Sequence, residues 1–135
     1  MRRIKIVLIL GALMVLPGCS RKAQTTELAN GLIITDQVIG EGEAADAMDI
    51  LTVKYVGKLK DGTIFDQSRQ PFDFTLGAGW MIEGWEQGLE GMKVGGKRDL
   101  VVPPALGYGA EGFGDKIPPE ATLYFTIELI RLEKF

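Results

Sequence analysis

"LGAGWMIEGWEQGLEGM", Leu76 to Met92, decides how the rest of the chain must fold. Within it Trp85, Leu89 and Met92 stand at i, i+4 and i+7, the spacing that gathers apolar side chains on one side of an α-helix. No other segment has that period. A helix is expected over Gly84–Met92, in a stretch whose only charges are Glu83, Glu86 and Glu90. A single short helix must bury its apolar side, and the remaining sequence offers only strands to cover it.

Those strands are read from alternation. "DILTVKYVGKL" sets Leu51, Val53, Tyr55 and Leu59 at period two, one face of a strand. Asp61-Gly62 follows, a tight-hairpin signal, so "TIFD" is expected to pair back on it. "PFDFTL" alternates Phe72, Phe74 and Leu76 with polar residues, and "KRDLVVP" is stopped by Pro103-Pro104. "GLIITDQVIGEG" opens the pattern from Gly31, and "ATLYFTIELIRLEKF" closes it with Leu123, Phe125, Ile127 and Leu129 on one face. The expected fold is α+β, an antiparallel β-sheet of about five strands curled around one short α-helix.

The chain before Gly31 has a different character. Arg2, Arg3 and Lys5 precede an apolar run, Ile6 to Leu16, which is short for a bilayer span and suits an export signal. The run ends in "LPGC", which resembles the bacterial lipobox, with Pro17 an uncommon occupant of its second position. Residues 1–18 are therefore expected to be a signal peptide and Cys19 a lipidation site. A lone cysteine has no intramolecular disulfide partner, and stable anchoring takes more than one acyl chain. "SRKAQTTELAN", 20–30, is polar and aperiodic, so 19–30 is read as a lipidated tether. Residues 31–135 are then the domain, held at a bacterial membrane and facing the periplasm or the cell exterior.

Composition removes several kinds of chemistry. The chain carries a net charge of −3 and becomes more acidic when Arg2, Arg3 and Lys5 are lost, which argues against a nucleic-acid partner. With no histidine and one cysteine, neither Ser-His-Asp nor Cys-His triads can form, and the usual zinc ligand sets are missing. The glycines of "GAGWMIEG" invite comparison with a phosphate cradle. Trp, Met and Ile follow them, and no GKS/T or ribose-binding acid appears downstream.

Aromatic side chains nevertheless arrive from several separate elements: Tyr55, Phe65, Phe72, Tyr108 and Phe125, beside Trp85. "ALGYGAEGFGDKIPPEATL", Ala105 to Leu123, is a long loop punctuated by glycine and proline, a class of loop that tends to carry function. An apolar concavity with a few polar groups is the usual form of a small-ligand site. The bland alternatives are that Trp85 fills the core, that Tyr55 and Tyr108 are amphipathic packers, and that Asp66 caps the hairpin turn.

"VKYVGKLKDGTIFDQS", "LGAGWMIEGWEQGLEGMKVGGKRDLVVPP", "YGA" and "IPPEATLYFTIELI" resemble, in order and spacing, the successive blocks of the FKBP-type peptidyl-prolyl cis-trans isomerases. The resemblance runs from Gly31 to Phe135. It implies an enzyme that rotates X-Pro bonds in proline-containing polypeptides, acts as a monomer, needs no cofactor, and takes macrolides such as rapamycin; with the export signal, the expected substrates are exported proteins. By the same resemblance Trp85 is the floor of the proline pocket, with Phe65, Phe72 and Phe125 as walls. Met81, Ile82 and Ile117 complete the substrate-binding set, and Tyr55, Asp66 and Tyr108 form the catalytic one. Asp66 is expected either to orient Tyr55 or to meet the rotating carbonyl. A proline-binding holdase with little turnover is the alternative function. Trp80, where the family commonly has a polar residue, and Phe113 make the expected rim more apolar, while the short "SRQPF" segment keeps Arg69 back from it.

Overall fold

The computed structural model of the chain describes residues 23–135. The expected signal peptide 1–18, the lipidated Cys19 and the start of the tether lie outside the described residues. In chain order the elements are β1 (Gln24–Glu27), β2 (Ile33–Val38), β3 (Glu41–Ala44), β4 (Ile50–Lys58), β5 (Ile64–Gln67) and β6 (Phe72–Thr75). Helix α1 (Glu83–Gly88) follows, then β7 (Lys93–Val94), β8 (Lys97–Val102) and β9 (Leu123–Glu133). A seven-stranded antiparallel sheet runs β1-β2-β8-β9-β4-β5, with β6 also pairing β4, while β3 and β7 form a separate two-stranded sheet.

The long strands follow the alternation in the sequence. On β9 Leu123, Phe125, Ile127 and Leu129 are buried, and on β8 Arg98, Leu100 and Val102. The Asp61-Gly62 turn brings β5 back against β4, with Gly62 at φ +92° and the Asp61 carboxylate accepting the Thr63 N–H at 2.9 Å. Asp61, not Asp66, therefore caps this turn.

The expected α+β fold, an antiparallel sheet with one short helix, is present, and three details differ. The sheet system has more than the five strands expected, because β1, β3 and β7 are two to four residues long and mostly exposed, too short to leave a period. The segment read as free tether is structured from Gln24: Thr25 and Thr26 pair with Thr35 and Ile34 at the sheet edge. The helix is six residues long and stops at Gly88, although Leu89 and Met92 remain buried where their spacing put them. Gly91, at φ +85°, turns the chain out of the helix.

A helix this short gains little from its own hydrogen bonds, so the sheet must hold it. Arg98 does so from β8. Its guanidinium donates to the Gly88 carbonyl at 2.8 Å and the Glu90 carbonyl at 3.0 Å, groups a helix end leaves unpaired. It also pairs with Asp36 of β2 at 2.7 Å, so one buried cation ties two strands to the helix C-terminus. No basic residue lies in the last turn itself, and Arg98 supplies the positive charge that the helix dipole favours there. At the other end of β9, buried Asp49 accepts the Lys134 ammonium at 2.6 Å and the Phe135 N–H at 3.0 Å. The Lys134 hydrogen bond chiefly holds the Asp49 carboxyl below its ordinary pKa.

Two helix glycines let the helix lie close on β8. A Cβ at Gly84 would stand 2.6 Å from Val102 Cγ1, and one at Gly88 would stand 2.8 Å from the Leu100 methyls. Val102 is fully buried and stiff about χ1, so it cannot yield. Gly84→Ala should therefore destabilise the protein by about 1–3 kcal/mol through overpacking, despite the gain of up to ~1 kcal/mol in helix propensity. Urea unfolding midpoints check the sign; a stabilised variant would mean that the helix does not sit this close.

Candidate functional site

The helix carries Trp85 into the middle of an aromatic cluster, where only 2% of it is exposed. Tyr55 and Phe125 meet it edge-on, with ring centroids 5.1 and 5.4 Å away and interplanar angles of 84° and 82°. Phe74 lies 5.5 Å from it, tilted at 54°. Phe65 completes the wall by an edge-to-face contact with Phe125 at 5.6 Å. These rings come from α1, β4, β5, β6 and β9. Gly57 makes their approach possible, since a Cβ there would meet Phe65 Cζ at 2.7 Å and Phe125 Cε1 at 2.9 Å.

The cluster leaves a cavity of about 300 Å³, open to solvent. Trp85, Tyr55, Phe65, Phe72 and Phe125 line it together with Met81 and Ile82, and Asp66 and Tyr108 bring the polar groups. Every pocket residue named from sequence is thus brought to one place except Ile117. That residue is buried in the core, with its backbone paired to Phe113 in the long loop, and is not part of the lining. Trp80, read only as rim, forms part of the wall, whereas Arg69 does not reach it.

The polar atoms are few and well defined. The Tyr55 hydroxyl donates to Asp66 Oδ2 at 2.8 Å across the β4–β5 hairpin. No backbone N–H among the described residues donates to Asp66, so its side chain is directed at Tyr55 and not at a turn. The Tyr55 backbone is fixed in turn by Ser68, whose Oγ accepts its N–H at 2.9 Å. Burial, followed by the Asp66 hydrogen bond, pushes the Tyr55 phenol above its ordinary pKa. Burial and the Asp66 charge push Tyr108 in the same direction. Tyr108 is presented by the long loop and packs on Phe113 at 5.2 Å. The Ile82 N–H, at the N-cap of the helix, has no protein acceptor among the described residues, while the Ile82 carbonyl is used by Trp85 and Glu86. The Trp85 indole N–H is buried and also without a partner, a state that costs about 1–3 kcal/mol.

Sequence reasoning missed Glu86. From the first turn of the helix its two carboxylate oxygens accept the Gly77 and Gly79 N–H groups, each at 2.7 Å. This clamps the segment that carries Trp80, Met81 and Ile82. The signal was present as two glycines, now seen at φ +82° and +84°, but nothing in the sequence marked Glu86 as their acceptor.

Comparison with known proteins bears on this arrangement. Residues 41–130 match the family model described as FKBP-type peptidyl-prolyl cis-trans isomerase. An FK506-binding protein of Neisseria meningitidis serogroup B is 50% identical over 105 residues, covering 76% of this chain and 96% of that protein. The peptidyl-prolyl cis-trans isomerase FKBP53 of Arabidopsis thaliana is 43% identical over 122 residues, which make up 87% of this chain and 26% of that protein. The crystal structure of a peptidyl-prolyl cis-trans isomerase from Pseudomonas syringae superposes with a TM-score of 0.75 at 45% identity. That match covers 82% of this chain and 81% of the other.

The raised Tyr55 pKa gives a prediction with a definite sign. Because the folded phenol holds its proton more tightly, its contribution to stability is complete below the unfolded value of about 10 and is lost as pH rises through the folded value. Wild-type stability should therefore fall above pH ~10, and Tyr55→Phe should flatten that fall. Urea unfolding across this alkaline range measures both slopes; equal slopes would mean that Tyr55 is not held as the hydrogen-bond donor to Asp66.

Proposed function

The chain belongs to the FKBP-type peptidyl-prolyl cis-trans isomerases, and from that premise we propose that its aromatic cavity rotates X-Pro bonds in exported polypeptides by desolvation. One observation carries this reading: an apolar cavity floored by buried Trp85, with the Tyr55–Asp66 pair and the Tyr108 hydroxyl at its mouth. Resonance in the X-Pro amide sets a barrier of ~18–20 kcal/mol. The planar amide is charge-separated and the twisted one is less so, hence a dry aromatic environment favours the twisted form. Each ~1.4 kcal/mol of that preference is worth a factor of ten in rate.

In this reading the prolyl ring lies on Trp85 between Phe65, Phe72 and Phe125. The free Ile82 N–H donates to a substrate carbonyl, and the Tyr108 hydroxyl donates to a second. Tyr55 holds the Asp66 carboxylate beside the rotating amide. The substrate makes and breaks no covalent bond, so neither a nucleophile nor a base is called on. Rapamycin-type macrolides, which present a comparable ring and carbonyls, would compete for the same cavity.

Asp66→Val tests the mechanism. It should lower kcat/KM for an X-Pro peptide about tenfold to a hundredfold, as expected for loss of a hydrogen bond to a charged group. Its effect on melting temperature should be small, because Asp66 lies on an exposed part of the hairpin. An unchanged kcat/KM per folded molecule, in a protease-coupled or NMR-exchange assay, would withdraw Asp66 from the reaction. Trp80, 84% exposed, favours one rival reading, capture of unfolded chains with little turnover. Binding of an X-Pro peptide without catalysis in the same assay would establish it.

We also propose that the protein works as a lipid-anchored monomer in a bacterial cell envelope. The support is Cys19, the one cysteine of the chain, placed directly after the apolar run Ile6–Leu16 and "PG". Cys19→Ala should move the protein from the membrane fraction to the soluble one. Mass spectrometry that finds Cys19 unmodified in the wild type would overturn the anchor.

A further inference from the structure

Beside the proline cavity lies a second cleft of about 530 Å³, bounded by Ile50, Phe74, Thr75 and Asp73 and sharing Phe72, Trp80 and Met81 with the first. The two clefts share those three side chains as lining, so a chain bound in one is within reach of the other. The cleft runs along β6, which pairs with β4 on one side and has no strand on its outer side among the described residues. An open strand edge of this kind accepts an extended segment. Its walls are apolar, and the single carboxylate there, Asp73, is already engaged by the Thr52 hydroxyl at 2.7 Å. Trp80 stands over it with 84% of its surface exposed, while Phe72 and Ile50 are each 38% exposed.

Continuity with the proline cavity selects the occupant, since the rings of the two linings pack against one another. Phe74 is 5.5 Å from the Trp85 floor and stacks on Phe72 at 6.0 Å. Two residues of extended chain span about 7 Å, and side chains at i and i±2 point to the same face. We propose that this cleft is a subsite for the substrate itself, taking an aromatic or large aliphatic side chain two residues removed from the proline, with Trp80 and Ile50 as its specificity-determining walls. The proposal rests on the isomerase reading above and adds to it which polypeptide segments the enzyme prefers.

The test uses two series of short X-Pro peptides with a fixed residue before the proline. One series carries Phe or Ala two positions before the proline, the other two positions after it. In one of the two, the Phe peptide should show a kcat/KM about three- to tenfold above the Ala peptide, as partial burial of an aromatic ring predicts. The difference should lie in KM, because the subsite binds ground state and transition state alike. Trp80→Ser and Ile50→Glu should each bring the Phe-to-Ala ratio close to one. Because the ratio is taken within a single protein sample, a partly unfolded variant still reports it. A wild-type ratio near one in both series, or a preference that survives both substitutions, overturns the subsite and leaves the isomerase reading standing. Failure to turn over any peptide in either series overturns the isomerase reading and the subsite with it.

Discussion

The structure depends on how a six-residue helix is held in place. Such a helix has too few internal hydrogen bonds to persist in water, yet its Trp85 is the floor on which the cavity rests. The Arg98 guanidinium resolves this by completing the helix C-terminus from the sheet while Asp36 balances its charge. The arrangement has a cost if disturbed. Removing Arg98 would leave the part-buried Asp36 carboxylate without its cation and would also unpair two carbonyls.

From that clamp the site follows in sequence. Gly84 and Gly88 bring the helix down onto Val102 and Leu100. That depth puts the indole level with Tyr55, Phe74 and Phe125, which meet it largely by their edges, the arrangement aromatic quadrupoles prefer. Glu86, one residue beyond Trp85, reaches back to fix the loop that carries Trp80, Met81 and Ile82. The same first turn of helix therefore sets both floor and wall. Polarity is confined to the opposite rim, where a phenol and a carboxylate are bonded to each other.

The sequence made the main strands legible because their burial is one-sided and their runs are long. It made most of the cavity legible through the family blocks, since the rings lie in segments of fixed spacing. Ile117 shows the limit of that reasoning: it occupies the motif position, but its side chain turns into the core under the bridge with Phe113. The strand β1 was illegible for a different reason. All four of its residues are exposed, so hydrogen bonding to β2 holds it without any hydrophobic pattern. Glu86 and Trp80 were hidden because a helix-surface acid and a loop indole gain their meaning only when distant backbone folds against them.

The order of the sheet has a consequence for biogenesis. β9 follows every other strand in sequence, yet it lies between β4 and β8 and pairs with both along most of their length. As the chain emerges from a ribosome, β4 and β8 wait with open inner edges until β9 arrives. The aromatic cluster waits as well, because Phe125 is on that strand. Closure is therefore a late, long-range event, of the kind that slows folding and leaves strand edges open to wrong partners. A member of this isomerase family is thus itself, during its synthesis, an exposed client for whatever guards nascent polypeptides.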